Sequence, residues 1–172
     1  LDRLNSERRS IEGRMQDDAI EIVRRMRFGE EGAVLPAGLC LYDATWHAGV
    51  VGLVASRVKE QVHRPVIAFA PAGDGTVRGS ARSVPGVHVR DAIEAVATRE
   101  PDLLDKFGGH AMAAGMTLRE DRLQRFSQAF AAEVARRAEP SMLQGILLTD
   151  GALAAADLSL ETAERLRGGG PW

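Results

Sequence analysis

From Leu1 to about Phe28 the apolar positions Leu4, Ile11, Met15, Ala19, Ile22, Val23 and Met26 recur at three-, four- and seven-residue steps. Arginine, aspartate and glutamate fill the remaining positions, so the spacing predicts one long amphipathic helix. Its mixed charges, such as Arg8, Arg9 and Glu12 or Asp17, Asp18 and Glu21, read as a solvated face with helical ion pairs, and Gly13 is the breaker inside it. Gly29, Gly32 and Pro36 mark a loop, after which GLCLYD has the apolar run of a short buried strand. In HAGVVGLVASRVKEQVH, Val51, Val54, Val58 and Val62 share one face while Arg57, Lys59 and Glu60 turn outward, which predicts a helix in spite of the β-branched residues. Pro65 ends it and opens PVIAFA, a second buried strand. AGDG at Ala72 to Gly75 supplies turn chemistry, with TVRGSARS as the return strand of a hairpin. VHVRDAIEAVATRE predicts another amphipathic helix through Val89, Ala92, Ile93 and Val96, and AAGMTL another strand. Arg119 to Arg137 then predicts a helix with Leu123, Phe126, Phe130 and Val134 as its buried stripe.

Strands alternating with helices point to an α/β fold in which a small mixed sheet is layered with helices. The expected organisation is a connecting helix and loop over 1–35, the layered domain over 36–139, and a segment over 140–172. In that last segment GILLTDG reads as a strand and turn and LETAERLR as a short helix, with no core of their own. A chain of 172 residues can bury a core without staples, and the start at Leu1 and stop at GGGPW read as the ends of a fragment. The formal charge of -2 and pI of about 6.1 exclude a generally basic nucleic-acid coat, so any polyanion site has to be a local patch. Cys40 is the only cysteine, which excludes an internal disulfide and a thiolate zinc site; in GLCLY it reads as a small buried hydrophobe, in keeping with a cytoplasmic protein. No apolar run reaches the roughly 18 residues of a membrane span, and no signal-peptide core is present.

One such patch stands out. TVRGSARSVPGVHVRD gathers Arg78, Arg82, His88 and Arg90 with acids only at its edges, Asp74 and Asp91. Gly79, Ser80 and Ser83 interleave small donors with the arginines, a mixture suited to a phosphate, which takes a guanidinium fork and close backbone approach. By the period of a strand, Arg78, Ser80 and Arg82 share one face; a charged edge strand guarded against aggregation has the same look. TWHAGVVG sets Trp46 and His47 ahead of a helix start, with Thr45 a candidate cap and Gly49 and Gly52 thinning the first turn, where free amides attract an anion. Trp46 reads as a core anchor, and His47 stays open between cap and ligand contact. FGGHAMAAGM offers His110 after two glycines, either a turn into a strand or a donor beside a ligand. The four histidines show no metal-ligand spacing, and no nucleophile elbow, P-loop or dinucleotide fingerprint occurs.

Taken in order, WHAGVVGLVASRVKE, RPVIAF, RGSARSVPGVHVRDAIE and FGGHAMAAGMTL resemble the DHH-associated domain of the RecJ branch of the DHH phosphoesterase family, the single-strand-specific exonucleases of bacteria. The likeness begins at about Asp2, where LDRLNSERRSIE resembles the connecting helix of that family. The tail GILLTDGALAAADLSLETAERLRGGGPW resembles the start of an OB-fold, cut before its barrel closes. The resemblance implies a two-lobed hydrolase that removes nucleotides 5′ to 3′ from single-stranded DNA in repair and recombination. Its catalytic lobe, with Asp and Asp-His-His motifs holding two Mn²⁺ or Mg²⁺ ions, would lie upstream of Leu1; no metal is expected in this chain, nor activity from it alone. By motif matching, Gly108, Gly109 and His110 would sit over the scissile phosphate, with His110 a donor to the phosphoryl oxygen. Ser80 and Arg82, flanked by Arg78 and Ser83, would hold the 5′-terminal phosphate, and His47 and Gly49 would line the same cleft. Ala81 stands where many relatives carry glycine. The partners implied are single-stranded DNA and, beyond it, a single-strand-binding protein or a helicase, with a monomeric protein and no membrane. Two rival readings stand beside it. One is a DHH phosphoesterase for short oligoribonucleotides or cyclic dinucleotides, against which the long connecting helix and the tail count. The other is a non-catalytic nucleic-acid-binding accessory domain in which GGH is only structural.

Overall fold

The computed structural model describes residues 2–28, 35–149 and 151–170, so the expected loop at Gly29 and Gly32 lies outside the described residues. Helix α1, Asp2–Phe28, buries Met15, Ala19 and Val23 from its predicted stripe, with Ile11 and Ile22 packed at the margin. It lies along α2, Val51–Val62, whose buried side is Val51, Val54, Ala55 and Val58.

Beneath these helices runs a five-stranded sheet in the order β1-β2-β3-β5-β4. The strands are β1 Leu39–Tyr42, β2 Val66–Gly73, β3 Thr76–Arg82, β4 Lys106–Gly109 and β5 Ala113–Arg119. β1 pairs with β2 in parallel, which requires the crossover that α2 provides, and the other pairings are antiparallel. The β2–β3 hairpin turns on Asp74 and Gly75, whose φ angles of 51° and 67° are what a tight primed turn demands.

Each strand sends alternate residues to opposite faces. On one face Leu39, Leu41, Val66, Ala68 and Ala70 meet α1, α2 and Trp46. On the other, Ile67, Phe69, Val77, Ala81, Met116 and Leu118 meet α3, Val89–Arg99, and α4, Leu123–Arg137. Phe126 stands edge-on to Phe69 and stacks on Phe130, centroids 5.9 and 6.1 Å apart, so the aromatic payload sits between α4 and β2. Cys40 packs against this second core, as its apolar context predicts.

Four local expectations are corrected. The turn expected in FGGHAM does lead into a strand but comes after the glycines, which belong to the edge strand β4, its backbone paired with β5 from Lys106↔Thr117 to Gly109↔Ala114. Thr45 does not cap α2: its N–H and hydroxyl bond the Asp43 carboxylate at 2.8 and 2.6 Å, and the capping position is Val50, with no side-chain cap. The helix expected from Arg119 begins at Leu123, after a 3₁₀ turn over Glu120–Arg122. GILLTDG forms no strand over 145–149, since no neighbouring strand offers its backbone a ladder and Ile146, Leu147 and Leu148 stay exposed. LETAERLR does form a helix, α5, Leu160–Gly168, with no buried residue.

Candidate functional site

The helices cover only half of the sheet's first face. α1 and α2 lie over β1, β2 and part of β3, while the same side of β5 and β4 is left open. The strand register fixes what this open side carries. One cross-strand row is Arg78, Thr117 and Lys106; the next is Ser80, Gly115 and Gly108; the third is Arg82 and Ala113. The alternation in TVRGSARS therefore does place Arg78, Ser80 and Arg82 on one face, with Arg78 exposed and Ser80 and Arg82 at the margin of α2. The first two rows line a shallow open pocket of about 290 Å³.

Arg82 reaches back under α2. A Cβ on Gly52 would lie 2.9 Å from an Arg82 guanidinium nitrogen and 3.7 Å from Ser80 Cβ, so the glycine is what lets the guanidinium pass beneath the first turn. Arg82 Nη1 donates to its neighbour's carbonyl, Ala81 O, at 2.8 Å. His47 stands in the turn before α2. Its N–H contacts the Met15 sulfur at 3.4 Å, and its Nδ1 accepts the Gly49 N–H at 3.0 Å. That bond places the lone pair on Nδ1 and leaves Nε2 as the donor of an exposed ring.

The GGH motif lies at the end of β4. Gly109 has φ +149°, and a Cβ there would meet the Ala113 carbonyl and Ala114 Cα at 2.4 Å, so only glycine fits. His110 N–H then donates to Ala113 O at 2.7 Å, closing the turn with the imidazole exposed. Two further main-chain bonds hold this turn from below, Ser83 N–H to Met112 O at 3.0 Å and Val89 N–H to Ala111 O at 2.9 Å.

Not every sequence candidate joins the open face. Ser83 is buried and its hydroxyl donates to Val87 O at 2.6 Å, so it braces the loop after β3. His88 caps α3, its Nδ1 accepting the Asp91 N–H at 3.2 Å, and Arg90 pairs with Glu94 at 3.2 Å. Conversely, Lys106, Gly115 and Thr117 were invisible to motif reading, because they reach the site only through the β4–β5 register. The available signal was the alternation Ala113, Gly115, Thr117 against the apolar Ala114, Met116, Leu118.

Electrostatically the two sides differ. Among the described residues, Arg78, Arg82 and Lys106 have no carboxylate within ion-pairing distance. On the far side, Arg125 is held by Glu100 and Asp102 at 2.6 and 3.1 Å, and Arg99, Arg136 and Arg137 converge on buried Glu133. Burial alone would raise the Glu133 carboxyl, but the three guanidiniums outweigh it and hold it at about 2. The open face thus carries unneutralised positive charge on a chain whose formal charge is -2. Among the described residues no three His, Cys, Asp or Glu come together as metal ligands, so this donor set does not fit a two-metal centre.

The sequence profile of the DHHA1 domain matches residues 33–136. The chain belongs to this domain family. Over all 172 residues it is 51% identical to the single-stranded-DNA-specific exonuclease RecJ of Salmonella typhimurium and 49% to that of Escherichia coli. It spans about 30% of the length of these curated relatives. Among solved structures, RecJ of Thermus thermophilus in complex with Mg²⁺ superposes with a TM-score of 0.63 at 31% identity, over 80% of this chain and 20% of that one. An exonuclease RecJ bound to manganese gives 0.64 at 30% identity, over 81% of this chain and 31% of that one. The open sheet face therefore belongs to a DHHA1 domain, and its arginine–serine row and GGH turn both lie within the matched residues. No helix among the described residues is long and apolar enough to cross a membrane.

Proposed function

We propose that this DHHA1 domain is the strand-binding lobe of a single-strand-specific 5′ to 3′ exonuclease. In this reading Ser80 and Arg82 hold the terminal 5′ phosphate, with Arg78 beside them, and Gly108, Gly109 and His110 face the scissile phosphodiester. His47 and Gly49 border the same cleft, at the start of the helix under which Arg82 passes. The observation that carries the reading is the row of unneutralised arginines and a serine running from beneath the first turn of α2 onto the open part of the sheet. A phosphate accepts several guanidinium and hydroxyl hydrogen bonds at once, and a glycine-lined strand lets it approach the backbone. The relatives at about half identity are named as exonucleases of single-stranded DNA, which supports the polymer chosen.

Bound Mn²⁺ or Mg²⁺ would activate water and offset charge on the phosphoryl oxygens. The described residues supply no cluster for it, and in this reading the ions sit on another lobe of the full-length protein. What this lobe does is bind and orient: Arg82 sets which end of the strand enters, and His110 holds a proton at hydrogen-bond reach of a phosphoryl oxygen. The protein acts as a monomer in the cytoplasm, where bacterial single strands arise in repair and recombination and where a single-strand-binding protein or a helicase would present them. Residues 36–139 form the binding domain, 1–35 the connector to the metal lobe, and 140–172 the lead into a further domain.

The test is Mn²⁺-dependent hydrolysis by the full-length protein on single strands bearing a 5′ phosphate or a 5′ hydroxyl. Arg82→Ala is expected to abolish the preference between the two ends, and His110→Ala to lower kcat with KM retained. If Arg82→Ala preserves the end preference, or if short oligoribonucleotides are cut in place of DNA, the reading is wrong.

A further inference from the structure

With the 5′ phosphate on Ser80 and Arg82 and the scissile phosphodiester at Gly108, Gly109 and His110, the terminal sugar between them crosses Gly115. The register sets that glycine between Ser80 on β3 and Gly108 on β4. One part of the terminal nucleotide is then left to house, its base. β3 and β4 run in the same direction, so Arg82 and the His110 turn share one end of the open face. The other end is the shallow pocket of about 290 Å³, bordered by Thr117 and Lys106. Its row lies one residue pair from Ser80, about 7 Å by the rise of a strand, a span that one sugar bridges. The volume sits at the lower limit of about 300 Å³ for small-ligand clefts, which leaves room for a ring system and not for a whole nucleotide. Arg78 keeps its guanidinium beside the phosphate and contributes only its methylene stem here.

The pocket floor is a residue that the fold does not require to be glycine. Gly115 is exposed, does not have left-handed φ, and would place a Cβ no nearer to anything than Gly79 O at 3.9 Å. Pairing with β3 runs through it without a shift, so it marks no bulge. By contrast, a Cβ on Gly79, on the covered face, would strike the Phe69 ring at 2.4 Å, and packing accounts for that glycine. Glycine weakens a strand interior, and close approach of a ligand is the cause that remains for Gly115. Thr117 follows two residues on along the same face. Its hydroxyl bonds nothing among the described residues, and as donor and acceptor at once it meets the edge of a purine or a pyrimidine. Lys106 has a simpler cause, since a lysine on an edge strand discourages pairing with another chain. Only its stem is needed, as one wall.

Resting on the reading above, we infer that the pocket floored by Gly115 and walled by Thr117 and Lys106 receives the base of the 5′-terminal nucleotide. The pocket registers that a base is present and not which base it is. Gly115 is thus a specificity-determining position for the end of the strand.

The experiment measures affinity of the full-length protein, in EDTA to stop hydrolysis, for a 5′-phosphorylated thymidine decanucleotide by fluorescence anisotropy. Two further strands carry an abasic tetrahydrofuran residue, one at the first position and one at the last. Wild type is expected to lose about tenfold in affinity for the first and to stay within about twofold for the second. Gly115→Val, which suits a strand, should keep Tm and bind the intact strand no better than the one abasic at its first position. Its affinity for that abasic strand should match wild type. Gly115→Ala, with only a methyl in the pocket, should show a smaller loss in the same sense. If wild type binds the intact and first-position abasic strands alike while Arg82→Ala weakens both, the base subsite is wrong and the terminal-phosphate site stands. A Gly115→Val protein that keeps the tenfold difference also overturns it, because the base then lies elsewhere. So does equal weakening of both strands by Gly115→Val, which would assign the glycine to the sugar–phosphate path alone. Indifference of every strand to Arg82→Ala removes the reading on which the inference rests.

Discussion

Glu133 is fully buried on α4, and Arg99, Arg136 and Arg137 satisfy its oxygens, the Arg99 contact at 2.5 Å. Its carboxyl sits at about 2 in the folded protein against an ordinary 4.5. The folded state therefore holds this proton more weakly than the unfolded chain. The stabilisation is complete above about 4.5 and is lost as pH falls towards 2. At about 1.4 kcal/mol per pH unit the ceiling is about 3 kcal/mol, lowered by solvent screening of the half-exposed guanidiniums. Glu133→Gln should flatten the acid limb of Tm against pH over that window, and an unchanged limb would refute the assignment. Gly79→Ala should destabilise by about 1–3 kcal/mol through overpacking on Phe69, read as a lower urea midpoint. At this scale the shared strand face of Arg78, Ser80 and Arg82 was legible, because strand alternation acts within a few residues. No local pattern shows that the Ser83 hydroxyl is buried and bonded to Val87 O.

Elements were legible where burial imposes a period. The helices α1, α2, α3 and α4 follow from their apolar stripes, and β2 and β3 from a buried run and a hairpin turn. β4 was not, since Lys-Phe-Gly-Gly has low strand propensity and its pairing with β5 is a non-local decision. That one unread strand is also what brings Lys106 beside Thr117 on the open pocket. The tail shows the opposite failure. Ile146, Leu147 and Leu148 look like strand residues but are exposed, while Met142 and Leu143 just before them do reach the main core. Gly145 packs its backbone on the His63 ring, where a Cβ would come within 2.4 Å of Nε2. Limited proteolysis should therefore nick the exposed stretch 146–149 first, leaving the part of the chain before Ile146 as the resistant product by mass spectrometry. Early cleavage inside β2 or β3 would contradict the fold.

For the whole molecule, one sheet separates two cores, and its covering is asymmetric. The α3/α4 side is closed and Arg99, Arg125, Arg136 and Arg137 are neutralised there, whereas the α1/α2 side stops short of β5 and β4 and, among the described residues, leaves Arg78, Arg82 and Lys106 without an ion pair. A slightly acidic protein can thus present a positive face to a polyanion while the rest of its surface repels one, which orients the approach. Binding of single strands should weaken steeply with salt, by about 0.7 in log affinity per log salt for each phosphate contacted. Arg82→Ala should reduce that slope by about one contact in fluorescence anisotropy titrations. A slope that stays at the wild-type value would place Arg82 off the strand path.

The turn that carries His110 is held by the backbone of 111 and 112, while the Met112 side chain is 46% exposed. Cys40, the only native thiol, is pushed up to about 12 by burial and is inert towards alkylating reagents at neutral pH. A Met112→Cys variant would keep the carbonyl that accepts from Ser83 and would take a maleimide dye at that one position. The latch beneath the histidine thus makes this turn a ready attachment point for an optical reporter, two residues from His110, with the buried Cys40 of this chain left in place.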